Sequence, residues 1–199
     1  MKKCLILDHV VFLGDLVAKG PHSLKVVKLA MKLNSSCVIG NHDYQLLDWM
    51  GYIKSVGDSR LDTYINPEDL PKELVFGAEE HILAMGFDSR AAGWMLQCPL
   101  ILNVGKVHGE ELVAVHAGLL PGREFKKQGI LRYCQPLLMT DPWTIMNMRN
   151  IDKGEPSRDT DKGEPWAHLW TKSQRDVENP TTIIYGHDAR RVPTCDLLF

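Results

Sequence analysis

The chain has 199 residues, of which 44% are hydrophobic and 24% are charged, and its formal net charge is −2. This length and composition predict a soluble globular protein with a sizeable core and exclude general disorder. The small negative charge argues against a broad nucleic-acid-binding surface, which would need clustered basic residues.

The sequence also predicts no membrane partner. No apolar run is as long as a membrane span, and the apolar stretch after the basic opening is too short for a signal peptide. The five cysteines are odd in number, scattered and never in a Cys-x-x-Cys pair; they are Cys4, Cys37, Cys98, Cys134 and Cys195. This pattern predicts reduced, mostly buried thiols and a cytoplasmic or nuclear protein.

The first predicted element is a short buried strand. Residues 10–13 are apolar and lead into Gly14-Asp15. A helix is predicted over residues 24–33, where apolar and lysine side chains fall on separate faces, and Ser23 is a plausible N-cap.

A second strand and helix follow. Residues 36–39 form another apolar run, which leads into the Gly-Asn-His-Asp sequence at 40–43. Strand, helix and strand in this order predict a right-handed βαβ unit. The next helix is predicted over residues 44–53, starting after the Asn-His-Asp turn.

The middle of the chain predicts a mixed sheet. Residues 55–72 are polar and read as a loop over the sheet, and residues 78–96 predict one helix. Residues 100–104 and 112–116 flank a glycine-containing turn, which predicts a β-hairpin. Another strand is predicted over residues 182–185.

A charged pentapeptide occurs twice in the last third of the chain. Residues 152–156 have the sequence Asp-Lys-Gly-Glu-Pro, and residues 161–165 repeat it. Two copies are too few for a repeat architecture, so we interpret them as a solvated loop. With no convincing linker, residues 1–199 are predicted to form a single domain.

Four predicted strands each end on a residue that binds metals. Strand ends at one edge of a sheet bring their terminal residues to a common rim. The residues are Asp15, Asn41, His116 and His187. Oxygen and imidazole ligands of this kind predict a site for a divalent cation, and the Asp15 carboxylate could bridge two cations.

His42 lies beside Asn41 and is placed to act as a general acid. In this interpretation it donates a proton to a leaving oxygen, and Asp43 holds the ring and raises its basicity. The alternative is that Asp43 caps the following helix and His42 fills the turn. Asp43 could do both.

In combination, these motifs resemble those of the calcineurin-like metallophosphoesterases. The closest resemblance is to the symmetrical diadenosine tetraphosphate hydrolase-like branch, including its eukaryotic members. The motifs are Gly14-Asp15-x4-Gly20-Pro21-x-Ser23, Gly40-Asn41-His42-Asp43, His116-Ala117-Gly118-Leu119-x-Pro121, Asn147-Met148-Arg149 with the later Trp166 and Trp170, and Gly186-His187. The resemblance implies an α/β fold (α+β in some schemes), a β-sandwich of mixed sheets flanked by helices.

The resemblance also implies a reaction. In that family two divalent metals (Mn, Zn, Fe, Co or Mg) hold a hydroxide that attacks phosphorus in line. Asp15 would bridge the metals, with Asn41, His116 and His187 completing one site. His42 would be the general acid, with Asp43 orienting it. The implied substrate is a dinucleoside polyphosphate, polyphosphate or a similar phosphorylated chain.

Three cations are candidates for binding the substrate phosphates. The resemblance indicates Lys19, Arg149 and Arg190. Lys19 stands where relatives commonly carry arginine, so it keeps the charge but lacks the bidentate fork.

One family motif is missing from the sequence. Relatives begin with an Asp-x-His motif on a first strand, whereas this chain has Asp8-His9, which we interpret as the entry to the 10–13 strand. We therefore expect a domain truncated at both ends and lacking the first strand, with one metal held and strongly reduced or no activity. A protein Ser/Thr phosphatase and an inactive one-metal pseudoenzyme or binding protein are the alternatives.

Overall fold

The structure is a computed structural model that describes residues 9–56, 74, 78–123, 128 and 142–188. Nearly all of the predicted loop at 55–72 lies outside these residues, as do Arg190 and three of the five cysteines (Cys4, Cys134 and Cys195). Among the described helices, none is both long and apolar enough to span a bilayer.

The described chain contains both helices and short strands. The helices are α1 (Ser23–Lys32), α2 (Asn41–Val56), α3 (Glu79–Ala84), α4 (Ser89–Met95), α5 (Pro142–Asn147) and α6 (Trp166–Ser173). The strands are β1 (Val11–Phe12), β2 (Ser36–Cys37), β3 (Ile101–Val107), β4 (Glu110–Val115), β5 (Asn150–Asp152), β6 (Glu155–Ser157), β7 (Glu164–Pro165) and β8 (Thr181–Tyr185).

Three small sheets are described. Strands β1 and β2 pair in parallel across α1, as the βαβ prediction requires. Strands β3 and β4 form the predicted antiparallel hairpin, and β8 pairs in parallel with β4, so this sheet is mixed, as predicted. The third sheet has the order β6-β5-β7 and is antiparallel.

The prediction of a single helix over residues 78–96 is wrong. The segment forms two helices, α3 and α4, separated by residues 85–88. Asp88 ends the break, because its side chain accepts a hydrogen bond from the backbone N–H of Ala91 at 2.8 Å and so caps α4. The apolar periodicity of the sequence continues through the break and so predicted one helix. The Asp88 cap instead starts a second helix.

Two predicted helix starts also differ from the structure. His22, and not Ser23, occupies the N-cap of α1, and Ser23 is its first helical residue. Helix α2 begins at Asn41, three residues earlier than predicted, and its first turn closes through a 2.9 Å hydrogen bond from Tyr44 N–H to the Gly40 carbonyl. The Asn-His-Asp sequence is therefore helical.

The pentapeptide repeat is only partly the predicted loop. The first copy forms the β5–β6 hairpin, whose turn residues Lys153 and Gly154 both have left-handed φ values of 51° and 88°. Such a pair suits a two-residue hairpin turn. In the second copy, Glu164–Pro165 forms β7.

The core lies between the sheets and helices, and it contains a disulfide. Val27 of α1, Trp49 of α2 and Val115 of β4 have no exposed surface. Cys37 and Cys98, both buried, form a disulfide that joins the end of β2 to the approach to β3. The prediction of reduced thiols is wrong for this pair, and the cytoplasmic location stays a prediction.

Candidate metal centre

The structure brings the four predicted ligands together. One ligand atom each from Asp15, His116 and His187 lies within 4.8 Å of the other two. The Asn41 side-chain oxygen joins them, 3.1 Å from Nε2 of His116. These residues follow β1, β2, β4 and β8, so strand ends far apart in sequence meet at one point.

The turns that carry the ligands have unusual backbone conformations. Asp15 and His187 have left-handed φ values of 54° and 59°, which cost energy in residues other than glycine and are found at functional sites. Gly14 has a φ of 84°, and a Cβ there would lie 2.6 Å from Nδ1 of His116. Only glycine permits this close approach of the β1 turn to the histidine ring.

His116 has a defined tautomer. Its Nδ1 lies 2.6 Å from the carbonyl oxygen of Leu13, which can only accept, so Nδ1 carries the proton. The lone pair of Nε2 then faces Asn41 Oδ1 at 3.1 Å and Asp15 Oδ1 at 3.4 Å. Burial lowers the pKa of His116 and so favours this neutral, ligating form.

His187 is held as a neutral imidazole as well. Its Nδ1 lies 3.2 Å from Nε2 of His116. Burial lowers the pKa of His187 to about 4, and the nearby His116 and Arg149 act in the same direction. Neutral imidazole is the form that binds metals.

The donor set fits a divalent cation. A carboxylate oxygen, an amide oxygen and an imidazole lone pair repel one another when they converge. A cation bound among them would remove this repulsion, because each of the three atoms could donate an electron pair to it. Mixed oxygen and nitrogen ligands suit Mn, Fe, Zn, Co or Mg. Asp8 lies outside the described residues, so the expected number of metals stays a prediction.

Asp43 is buried and contacts the backbone rather than the His42 ring. Its carboxylate accepts hydrogen bonds from the N–H groups of Gly40 (3.0 Å), Leu16 (2.8 Å) and Val17 (3.3 Å). The bond to Gly40 caps α2, which is the alternative considered above. Burial raises the pKa of the Asp43 carboxyl to about 7. Asp43 thus joins the β1 turn to the start of α2.

The acidic side chain that contacts the His42 ring is Glu80 of α3. Its Oε1 contacts Nδ1 of His42, while Nε2 of His42 lies 4.0 Å from Asp15 Oδ2. The structure therefore differs from the prediction that Asp43 holds this ring. The sequence gives only a weak indication that Glu80 points inward. Glu80 lies one turn before Ala84, so the two residues share the buried face of a predicted helix.

The candidate phosphate-binding cations occupy different surroundings. Arg149 lies near His187, and its Nε is 3.8 Å from Oδ2 of Asp188. Lys19 is exposed after the Asp15 turn and lies close enough to influence His116. Arg190 is outside the described residues, so its predicted role is not described by the structure.

Comparison with known proteins agrees with the motifs. A symmetrical bis(5'-nucleosyl)-tetraphosphatase of Delftia acidovorans is 34% identical over 57% of this chain and 35% of its own length. A zinc-dependent endopolyphosphatase of Saccharomyces cerevisiae is 27% identical over 90% of this chain and 57% of its own length. The chain thus spans between about a third and somewhat over half of these curated relatives.

A solved structure and a family profile also agree with the resemblance that the motifs indicate. The crystal structure of a candidate diadenosine tetraphosphatase superposes with a TM-score of 0.63 at 29% identity, covering 92% of this chain and 64% of the other. The predicted metallophosphoesterase fold is therefore confirmed. The calcineurin-like phosphoesterase profile matches residues 2–195. The chain belongs to the calcineurin-like phosphoesterase family.

Proposed function

We propose that this chain is the metal-binding part of a hydrolase that cleaves phosphoanhydride bonds in dinucleoside polyphosphates, polyphosphate or similar phosphorylated chains. The observation that carries the proposal is the convergence of three oxygen and nitrogen donors, from Asp15, Asn41 and His187, on Nε2 of His116. The names of the relatives, a tetraphosphatase and an endopolyphosphatase, favour anhydrides over phosphoproteins as substrates.

The metal would be held by Asp15, Asn41, His116 and His187. When bound, a divalent cation supplies Lewis-acid polarisation of a phosphoryl oxygen and lowers the pKa of water. The hydrogen bond from His116 to Leu13 fixes the ring, which preserves the ligand geometry before the metal arrives.

The remaining residues would bind the substrate and move protons. His42 presents Nε2 toward the carboxylate of Asp15, and in its protonated form it could donate to a leaving phosphate oxygen. Lys19 and Arg149, with Arg190, would provide positive charge for the substrate phosphates. Asp43 would act indirectly, by joining the two turns that carry Asp15 and Asn41.

The test is metal binding compared between two matched variants. His187→Asn removes a proposed ligand, and His108→Asn makes the same change in an exposed hairpin turn. Both residues have left-handed φ values, 59° and 51°, which asparagine tolerates, so backbone strain is matched. Titration calorimetry with Mn²⁺ and Zn²⁺ should show that His187→Asn binds metal more weakly than His108→Asn by about 10- to 100-fold or more. Changing a residue that only hydrogen-bonds to a metal ligand already costs about that much affinity.

Elemental analysis and activity assays complete the test. The chain should contain divalent metal, and the hydrolysis that it retains should favour a dinucleoside tetraphosphate or polyphosphate over a phosphopeptide. Preference for the phosphopeptide would support the phosphatase alternative, and about one metal without turnover would support the inactive alternative. Equal metal affinity in the two asparagine variants would refute the proposed ligand set.

A further inference from the structure

Glu80 and His42 form a part-buried contact that joins α3 to the first turn of α2. Glu80 is 4% exposed, and Oε1 of its carboxylate contacts Nδ1 of His42. The other ring nitrogen, Nε2, lies 4.0 Å from Oδ2 of Asp15. One nitrogen of His42 therefore faces Glu80 and the other faces the metal centre.

The packing of α3 against α2 explains why Glu80 reaches this position. His81, the next residue, packs its ring against Trp49 with a centroid distance of 4.4 Å. Trp49 is fully buried and lies seven residues after His42, so both are on one face of α2. Ala84 is also buried. These contacts hold the Glu80 carboxylate against Nδ1 of His42.

A buried carboxylate needs a partner that offsets the loss of water. The Nδ1–H of His42 provides one, and a protonated ring would provide an opposite charge as well. Asp43, the acidic residue nearest to His42 in sequence, is engaged with three backbone N–H groups. Of these two carboxylates, Glu80 is the one that contacts the ring.

We propose that Glu80 is the positioning residue for His42. Its carboxylate accepts the Nδ1–H bond, which fixes the ring with Nε2 toward the metal centre. In the reaction, the proton on Nε2 passes to the leaving phosphate oxygen as the P–O bond breaks. The ring is left neutral, with Nδ1–H still bonded to Glu80, which stays ionised. The catalytic part of this inference rests on the proposed function.

The first test does not depend on activity. Nitrogen-15 NMR of the metal-free chain at neutral pH reports which ring nitrogen of His42 carries the proton. We expect the Nδ1–H form in the unaltered chain and a shift toward the Nε2–H form in Glu80→Gln. Glu79→Gln, which removes the same charge from the exposed neighbour in α3, should leave the His42 signals unchanged. Identical His42 signals in Glu80→Gln and the unaltered chain would overturn the proposal.

The second test measures catalysis with a series of aryl phosphates of increasing leaving-group pKa. Glu80→Gln should lower kcat by about 10- to 100-fold, part of the ~10²–10⁴-fold that general acid–base catalysis contributes, with little change in KM. The loss should grow as the leaving group becomes poorer, and Glu80→Asp should recover part of it.

Two results separate the failure of this inference from failure of the proposed function. An equal loss for all leaving groups, or a Glu80→Gln variant as active as Glu79→Gln, would overturn the positioning role. A chain that hydrolyses no phosphoanhydride would contradict the proposed function, while the NMR comparison would still decide whether Glu80 orients His42. Thermal unfolding of each variant checks that it is folded.

Discussion

Removing the disulfide should destabilise the protein by an amount that follows from its position in the chain. Cys37 and Cys98 are 61 residues apart in sequence. The entropy lost by the unfolded chain on closing a loop of that length corresponds to about 4 kcal/mol at 25 °C. We expect Cys37→Ala/Cys98→Ala to lose about this free energy of unfolding.

Urea denaturation measures the loss. With an m-value of about 2 kcal/mol/M, the midpoint of the double variant should fall by about 2 M. A reducing agent should produce a similar fall in the unaltered chain and none in the double variant. The matched control is Cys4→Ala/Cys134→Ala, which changes as many cysteines and keeps the disulfide.

Peptide mapping under non-reducing conditions provides the direct check. A linked pair of peptides containing Cys37 and Cys98 is expected. If the purified chain instead shows five free thiols, and reductant leaves the urea midpoint unchanged, the disulfide is absent and the reduced thiols expected from the sequence are correct.

Three further predictions concern the fold around the site. Gly14→Ala should destabilise the chain by about 1–3 kcal/mol in urea denaturation and weaken metal binding in calorimetry, because its Cβ would meet the His116 ring. Burial lowers the pKa of His81, so the folded state favours the neutral ring. The contribution of His81 to the free energy of unfolding is therefore fully present above the unfolded pKa of about 6.5, and it is lost as the pH falls below that value. Urea midpoints at pH 7 and 5 should therefore differ less in His81→Phe than in the unaltered chain. Asp88→Ala should cost about 1 kcal/mol in thermal unfolding by removing the α4 cap, while Asp88→Ser should not; equal loss in both would contradict the capping role.

The four proposed metal ligands could be selected from the sequence because their signals are local. Each of the four follows a short apolar strand and lies within two residues of a glycine, a pattern visible locally; the residues are Asp15, Asn41, His116 and His187. The parallel pairing of β1 with β2 and of β4 with β8 then brings these strand ends together, as the general geometry of such sheets suggests.

The acidic partner of His42 and the disulfide could not be predicted from neighbouring residues, because both depend on contacts between segments that are distant in sequence. Asp43 was a reasonable partner for the His42 ring by sequence proximity, but the helix begins early enough to turn its carboxylate toward the backbone of the β1 turn. The cysteine pattern gave no sign that Cys37 and Cys98 are adjacent in space.

The sequence by itself therefore determined the family, the mixed parallel and antiparallel strands and the four residues proposed to hold the metal. Only the tertiary structure decided which acidic residue touches His42, since Glu80 reaches the ring where α3 packs its His81 against Trp49 of α2. The physical reason is the range of the interactions. Strand ends and turns are encoded by neighbouring residues, whereas the contact between His42 and Glu80 is set by how two helices pack.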